Sequence, residues 1–124
     1  MTDPNFILLY VHSAEASARF YQDLLGKAPV ESSPTFAMFA LESGMRLGLW
    51  NSAVVQPPAT SPGGCEIIFA LDSVEAVHAC HRHWQQRGLP IVQAPTNMDF
   101  GVTFVATDPD GHRLRVLVPA PGQA

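Results

Sequence analysis

Short apolar runs along the chain alternate with two segments whose apolar positions recur at helical spacing. Six apolar runs, each bounded by turn residues, predict strands at 6–11, 36–41, 47–50, 66–71, 103–107 and 114–118. The first helical segment begins at Ser13 and ends at Gly26, and the second begins at Ser73 and ends at Gly88. Because serine is a favoured helix N-cap and glycine a common terminator, these four residues predict both ends of each helix.

The second half of the chain repeats the pattern of the first. Two pairs of segments carry the repeat: SAEA at 13–16 with SVEA at 73–76, and GMRL at 44–47 with GHRL at 111–114. A proline followed by a β-branched residue comes after each helical segment and marks one further strand, at 29–30 and 90–91. Each half therefore has the order strand, helix, strand, strand, strand.

A stretch rich in Pro and Gly, residues 52–64, separates the two halves and is typical of a linker. The length of 124 residues suits one domain that buries a substantial core. We predict an α+β fold in which residues 1–124 form a single domain. It consists of two βαβββ modules, at about 4–51 and 65–119, joined by the linker.

Charge and hydropathy argue against some classes of function. The net charge is −4, and the seven basic residues form no run, which argues against a nucleic-acid partner. The apolar run 6–11 is far too short to span a bilayer, and residues 1–5 do not resemble a secretory signal. We therefore expect a cytoplasmic protein with no membrane partner. The low charged fraction, 15%, favours a surface partly covered by a second subunit.

The ordered pieces resemble a known superfamily. The first helix carries Ser17, Phe20-Tyr21 and Leu25-Gly26, and a late hairpin at 108–111 has the sequence Asp-Pro-Asp-Gly. Together with the repeat, they resemble the vicinal oxygen chelate superfamily of glyoxalases, ring-cleaving dioxygenases and bleomycin resistance proteins over about residues 4–119. The resemblance implies the glyoxalase/bleomycin resistance fold, with curved mixed sheets around a cavity. It also implies a homodimer.

Metal enzymes of that superfamily carry His or Glu at one position on the first and last strand of each module. The repeat locates these positions at Phe6, Gly48, Glu66 and Arg115. Only Glu66 is a metal ligand, whereas a catalytic metal site needs about three protein ligands. We therefore predict no metal, no cofactor and no catalytic residue. Metal-free chemistry on a bound ligand stays open.

Alternation along the strands assigns further residues to the face that carries those four positions, and the opposite face is uniformly apolar, as suits helix packing. The predicted ligand-binding residues are Phe6, Tyr10, Gly48, Trp50, Glu66, Ile68 and Arg115. Trp50 offers an indole for ring stacking beside a gap expected at Gly48, although it is equally suited to core or dimer packing. Glu66 and Arg115 either orient polar groups of a ligand or form a structural ion pair.

The other His and Cys residues do not indicate a metal or catalytic site. His78, His81 and His83 lie on the second helix, but no carboxylate completes a ligand set, so we expect solvated histidines. Cys65 and Cys80 form no CxxC pair and are interpreted as small apolar residues. No Ser, His and Asp or Cys and His set suggests a nucleophile.

Within the superfamily the likeness is to antibiotic-binding resistance proteins, of the phenazine and bleomycin types. It rests on Leu49-Trp50, Glu66-Ile67 and the segment from Asp108 to Val116. It implies metal-independent binding and sequestration of a planar aromatic small molecule, such as a phenazine antibiotic, in a dimer-interface cavity. The alternatives are a metal-dependent enzyme of the glyoxalase or dioxygenase type and a ligand-free interaction module.

Overall fold

Each half of the chain forms one mixed four-stranded sheet with one helix. The computed structural model describes residues 1–61 and 63–121. Contacts divide the chain into two units, Met1–Pro62 and Gly63–Ala124. The two βαβββ modules predicted from the sequence repeat are confirmed by the element order and by the sheet topology.

In the first unit, the order of strands in the sheet is β1-β4-β3-β2, with β1 parallel to β4 and the other pairs antiparallel. Its elements are β1 (Phe6–Val11), α1 (Ala14–Leu25), β2 (Glu31–Ser32), β3 (Phe36–Ala40) and β4 (Arg46–Asn51). A short 3-10 helix at Ser52–Val54 follows β4.

The second unit has the equivalent order, β5-β8-β7-β6, with β5 parallel to β8. Its elements are β5 (Glu66–Ala70), α2 (Val74–Gln86), β6 (Ile91–Met98), β7 (Gly101–Thr107) and β8 (Arg113–Pro119). β6 is longer than the sequence indicated and its pairing with β7 shifts register twice between Ile91 and Thr96. Pro95 lies within this irregular part and has no N–H to offer the ladder.

Both helices begin and end as predicted. The Ser13 and Ser73 hydroxyls accept hydrogen bonds from the N–H groups three residues on, at 3.1 and 3.0 Å. Gly26 closes α1 with φ of 71°, and Gly88, which follows the C-cap residue Arg87 of α2, has φ of 84°. Glycine adopts these left-handed conformations without the Cβ penalty. Neither helix in the described part of the chain is long and apolar enough to cross a membrane.

The predicted apolar face of each sheet forms the core of its unit. In the first unit, the buried strand residues join Tyr21 of α1; they are Leu9, Val11, Ala37, Phe39, Leu47 and Leu49. In the second unit, Trp84 of α2 packs edge-on against Phe69 and Phe104, with ring centroids 5.6 and 5.5 Å apart. Ile7 departs from the expected pattern, because it lies near the start of edge strand β1 and stays 38% exposed.

The turn between β7 and β8 is organised by the Asp108 carboxylate. Its Oδ1 accepts the N–H groups of Asp110 and His112, both at 2.9 Å, and its Oδ2 lies 2.7 Å from Nδ1 of His112. The Asp108 side chain is fully buried and that of His112 is 9% exposed. The hydrogen bond to Asp108 raises the pKa of His112, against the opposing effect of burial.

We expect the His112–Asp108 pair to stabilise the folded state less as the pH rises. Because the folded pKa of His112 lies above the ordinary value of 6.5, its stabilisation is complete below pH 6.5. It is lost as the pH rises through the folded pKa. Urea unfolding of the protein and of His112→Asn is the measurement. Between about pH 5.5 and pH 8.5 the difference in free energy of unfolding should shrink by on the order of 1 kcal/mol. A difference that is constant over this range contradicts the prediction.

Candidate functional site

One face of the first sheet is apolar, aromatic and partly exposed. The parallel register of β1 and β4 pairs Leu8 with Gly48 and Tyr10 with Trp50, so these residues share a face. Phe6, Leu8 and Tyr10 are 42%, 38% and 36% exposed. Trp50 is half-buried and lies opposite Phe36 of β3. We call this surface, formed by Phe6, Leu8, Tyr10, Gly48 and Trp50, the aromatic face.

The open gap expected at Gly48 is wrong. A Cβ atom at this position would lie 2.8 Å from Cε1 of Phe6 and 2.9 Å from Cδ1 of Leu8. The missing side chain of Gly48 therefore lets Phe6 and Leu8 lie across β4. Both side chains are nevertheless partly exposed.

The corresponding face of the second sheet carries a polar network centred on Arg115. Its Nε and Nη2 donate to Oε1 and Oε2 of Glu66, at 2.8 and 3.0 Å. Its Nη1 donates to Oε1 of Gln93 at 3.1 Å and to Oγ1 of Thr103 at 3.2 Å. The guanidinium carbon lies 5.6 Å from the centroid of the Phe100 ring. We call Glu66, Gln93, Phe100, Thr103 and Arg115 the arginine network.

Electrostatics inside the arginine network favour the ionised carboxylate. The hydrogen bonds from Arg115 hold the pKa of Glu66 below its usual value, partial burial opposes them, and the charges of Arg115 and Arg113 add to the lowering. The Glu66 side chain is 25% exposed and that of Arg115 is 15% exposed. The pair is therefore bidentate and ionised, and the exposed fraction of the Glu66 side chain is somewhat larger than that of Arg115.

The structure distributes the predicted residues over two surfaces, one in each unit. Phe6, Tyr10, Gly48 and Trp50 lie on the aromatic face, and Glu66 and Arg115 belong to the arginine network. Ile68 lies opposite Arg115 in the β5–β8 register and is 55% exposed.

Three members of the arginine network, Gln93, Phe100 and Thr103, were not among the residues predicted from the sequence. Thr103 was within a predicted strand, and the alternation that selected Arg115 would have selected it too. Its buried hydroxyl also donates to the carbonyl oxygen of Val116 at 2.9 Å. Gln93 lies in the irregular part of β6 and Phe100 in the turn that follows, where no periodic signal marks them.

Comparison with known proteins identifies the family of this chain. The family model described as the glyoxalase/bleomycin resistance protein/dioxygenase superfamily matches residues 4–116. The chain belongs to this superfamily. Among relatives of the chain, the phenazine antibiotic resistance protein EhpR of Enterobacter agglomerans is 31% identical over 116 residues, 91% of this chain and 89% of that protein.

Solved structures of the superfamily share the fold. An Agrobacterium tumefaciens protein determined by solution NMR is 47% identical, with a TM-score of 0.89 over 97% of this chain and 99% of that one. A glyoxalase-related enzyme from Fulvimarina pelagi is 23% identical, with a TM-score of 0.83 over 95% of this chain and 88% of the other. At that identity the second likeness shows the fold alone.

The residues at the superfamily's metal positions do not fit a divalent ion. Phe6 and Gly48 offer no ligand atom, and Arg115 is a cation whose hydrogen bonds occupy the Glu66 carboxylate. Over residues 1–61 and 63–121, no three His, Cys, Asp or Glu side chains are grouped to hold a metal ion.

The remaining reactive groups are structural or exposed. The His81 ring packs against Phe104, with centroids 5.2 Å apart, while His78 and His83 are exposed on α2. Burial raises the pKa of Cys80 to about 11, so its thiol stays protonated and poorly nucleophilic at neutral pH. Cys65 is a free, exposed cysteine.

The bidentate pair predicts an energetic coupling between Glu66 and Arg115. We expect Glu66→Gln and Arg115→Met each to lower the free energy of unfolding, and the double variant to lose less than the sum by about 1 kcal/mol, because the pair is partly exposed. Urea unfolding of the four proteins measures this coupling.

Arg113 provides the matched control for this double-mutant cycle between Glu66 and Arg115. It is exposed, lies opposite Glu66 in the β5–β8 register and influences that carboxylate through its charge. A cycle between Glu66→Gln and Arg113→Gln should therefore show a smaller coupling than the cycle with Arg115→Met. Equal couplings in the two cycles contradict the assignment of the bidentate pair as the dominant interaction.

Proposed function

We propose that this protein binds and sequesters a planar aromatic small molecule, such as a phenazine antibiotic, without a metal. The aromatic face carries the proposal. A half-buried indole lies beside partly exposed Phe, Leu and Tyr side chains, which is the chemistry that stacks and encloses a flat ring. The likeness to a phenazine antibiotic resistance protein supports the same class of ligand.

In this proposal Trp50 stacks on the ligand ring and Phe6 contacts the ring edge. Tyr10 lies opposite Trp50 in the β1–β4 register, and its phenol supplies a polar contact. Gly48 keeps the strand beside Trp50 free of a side chain of its own, so that Phe6 and Leu8 define the shape of the surface.

In the second unit, the proposed ligand-binding residues are Glu66, Ile68 and Arg115. Glu66 contacts polar substituents of the ligand, Arg115 holds the Glu66 carboxylate in place, and Ile68 adds exposed apolar surface. We further propose a cytoplasmic homodimer with the ligand in a cavity at the dimer interface. The exposed apolar side chains of edge strand β1 are consistent with a surface that a second chain covers.

Two tryptophans make the proposal testable by fluorescence. Trp84 is buried among aromatic side chains of its own unit, so Trp84→Phe leaves Trp50 as the single reporter. We expect saturable quenching of Trp50 by phenazine carboxamide, unchanged by EDTA. Absence of saturable quenching contradicts aromatic binding at Trp50, and quenching abolished by EDTA contradicts metal-independent binding.

Removal of the indole gives the second test. We expect Trp50→Ala to weaken phenazine carboxamide binding by about tenfold or more, because ring stacking and the buried area of the indole are both lost. Equilibrium dialysis followed by ligand absorbance measures this without the tryptophan signal. Trp84→Phe is the matched control and should leave the affinity unchanged. An unchanged affinity in Trp50→Ala removes Trp50 from the site.

A further inference from the structure

We infer that the arginine network of the second unit selects planar ligands whose polar substituent donates hydrogen bonds to Glu66, and disfavours the same ring system carrying a carboxylate. This inference rests on the proposed function and specifies the ligand class further. It depends on which hydrogen-bonding groups of the arginine network are already used within the protein and which remain for a ligand.

The donors of Arg115 are almost fully used inside the second unit. A guanidinium carries five N–H groups. Four of them are engaged: one on Nε and one on Nη2 by the two oxygens of Glu66, and two on Nη1 by Gln93 and Thr103. The Phe100 ring lies near the guanidinium as well. Arg115 is therefore a positioning residue for Glu66, with one N–H left for any ligand.

The acceptors of Glu66 are only partly used. A carboxylate has about four lone-pair directions, and the two hydrogen bonds from Arg115 occupy about half of them. The side chain is also more exposed than its partner, 25% against 15%. Because Arg115 lowers the pKa of Glu66, the carboxylate is ionised at neutral pH and cannot donate a proton to a ligand. The open side of the pair therefore offers acceptors, and a ligand N–H or O–H satisfies them.

A carboxylate on the ligand is disfavoured, because it brings acceptors and no donor to the Glu66 carboxylate. Its oxygens would face the remaining lone pairs of Glu66, while the neutralised Arg115 has one donor left to offer. Arg113 is the other cation opposite Glu66, but it is exposed, so its attraction for an anion is weakened by water and by salt. The balance of donors and acceptors therefore favours an amide, amine or hydroxyl substituent over a carboxylate.

Two matched ligands test this inference on the unmodified protein. Phenazine carboxamide and phenazine carboxylate, with the substituent at the same ring position, share the same ring system and differ only in the hydrogen-bonding group. Their affinities are measured by equilibrium dialysis at about pH 7.5 and about 0.15 M salt, where surface attraction is screened. We expect the carboxamide to bind at least about tenfold more tightly.

Two variants then locate the origin of the preference. In Glu66→Gln the acceptor charge is lost and Arg115 is no longer neutralised, so the preference should fall to about one or invert in favour of the carboxylate. In Arg113→Gln, which removes a charge opposite the same residue, the preference should persist or increase. Thermal melting of both variants verifies that each is folded, and the comparison of the two ligands on the unmodified protein needs no variant at all.

The outcomes separate the inference from the proposed function. If the carboxylate binds the unmodified protein as tightly as the carboxamide, or more tightly, the inference is overturned while aromatic binding stands. If neither ligand binds saturably, the proposed function fails and the inference falls with it. A tenfold preference that survives in folded Glu66→Gln also overturns the inference, because the selection then originates elsewhere.

Discussion

The alternation of side chains across two parallel strand pairs is the constraint on which this protein depends. β1 pairs with β4 and β5 pairs with β8, so every second residue of the first and last strands of a unit lies on the same face. One face of each sheet packs on its helix, and the other carries the aromatic face or the arginine network. A slip of one residue would bury Arg115 and expose Leu114, so the apolar pattern and the chemistry of the site are fixed together.

An ion pair occupies positions where metal enzymes of the superfamily carry ligands. Arg115 satisfies Glu66 from two nitrogens and is itself satisfied by Gln93 and Thr103, so the charges are balanced without an added ion. The same framework therefore carries different side-chain chemistry at these positions, because the fold sets positions while the side chains at those positions set the chemistry.

Short-range sequence patterns correctly predicted the structural features that single residues or short runs determine. Ser13 and Ser73 cap the helices, Gly26 and Gly88 permit their left-handed ends, and the apolar runs define the strands. These patterns did not predict side-chain packing between residues that are distant in sequence. The side chain that crosses Gly48 comes from Phe6, about forty residues earlier, and spacing along the chain cannot show which side chain fills that space.

The sequence by itself determined the fold class, the repeat, the helix limits and the residue types at the superfamily's metal positions. The first three follow from local periodicity, turn chemistry and the alternation of strand residues, and the metal positions follow from the resemblance to the superfamily. The tertiary structure alone decided that Arg115 is saturated by Glu66, Gln93 and Thr103. Hydrogen-bond partners are chosen by strand register and by the irregular course of β6, which bring together residues up to 49 positions apart.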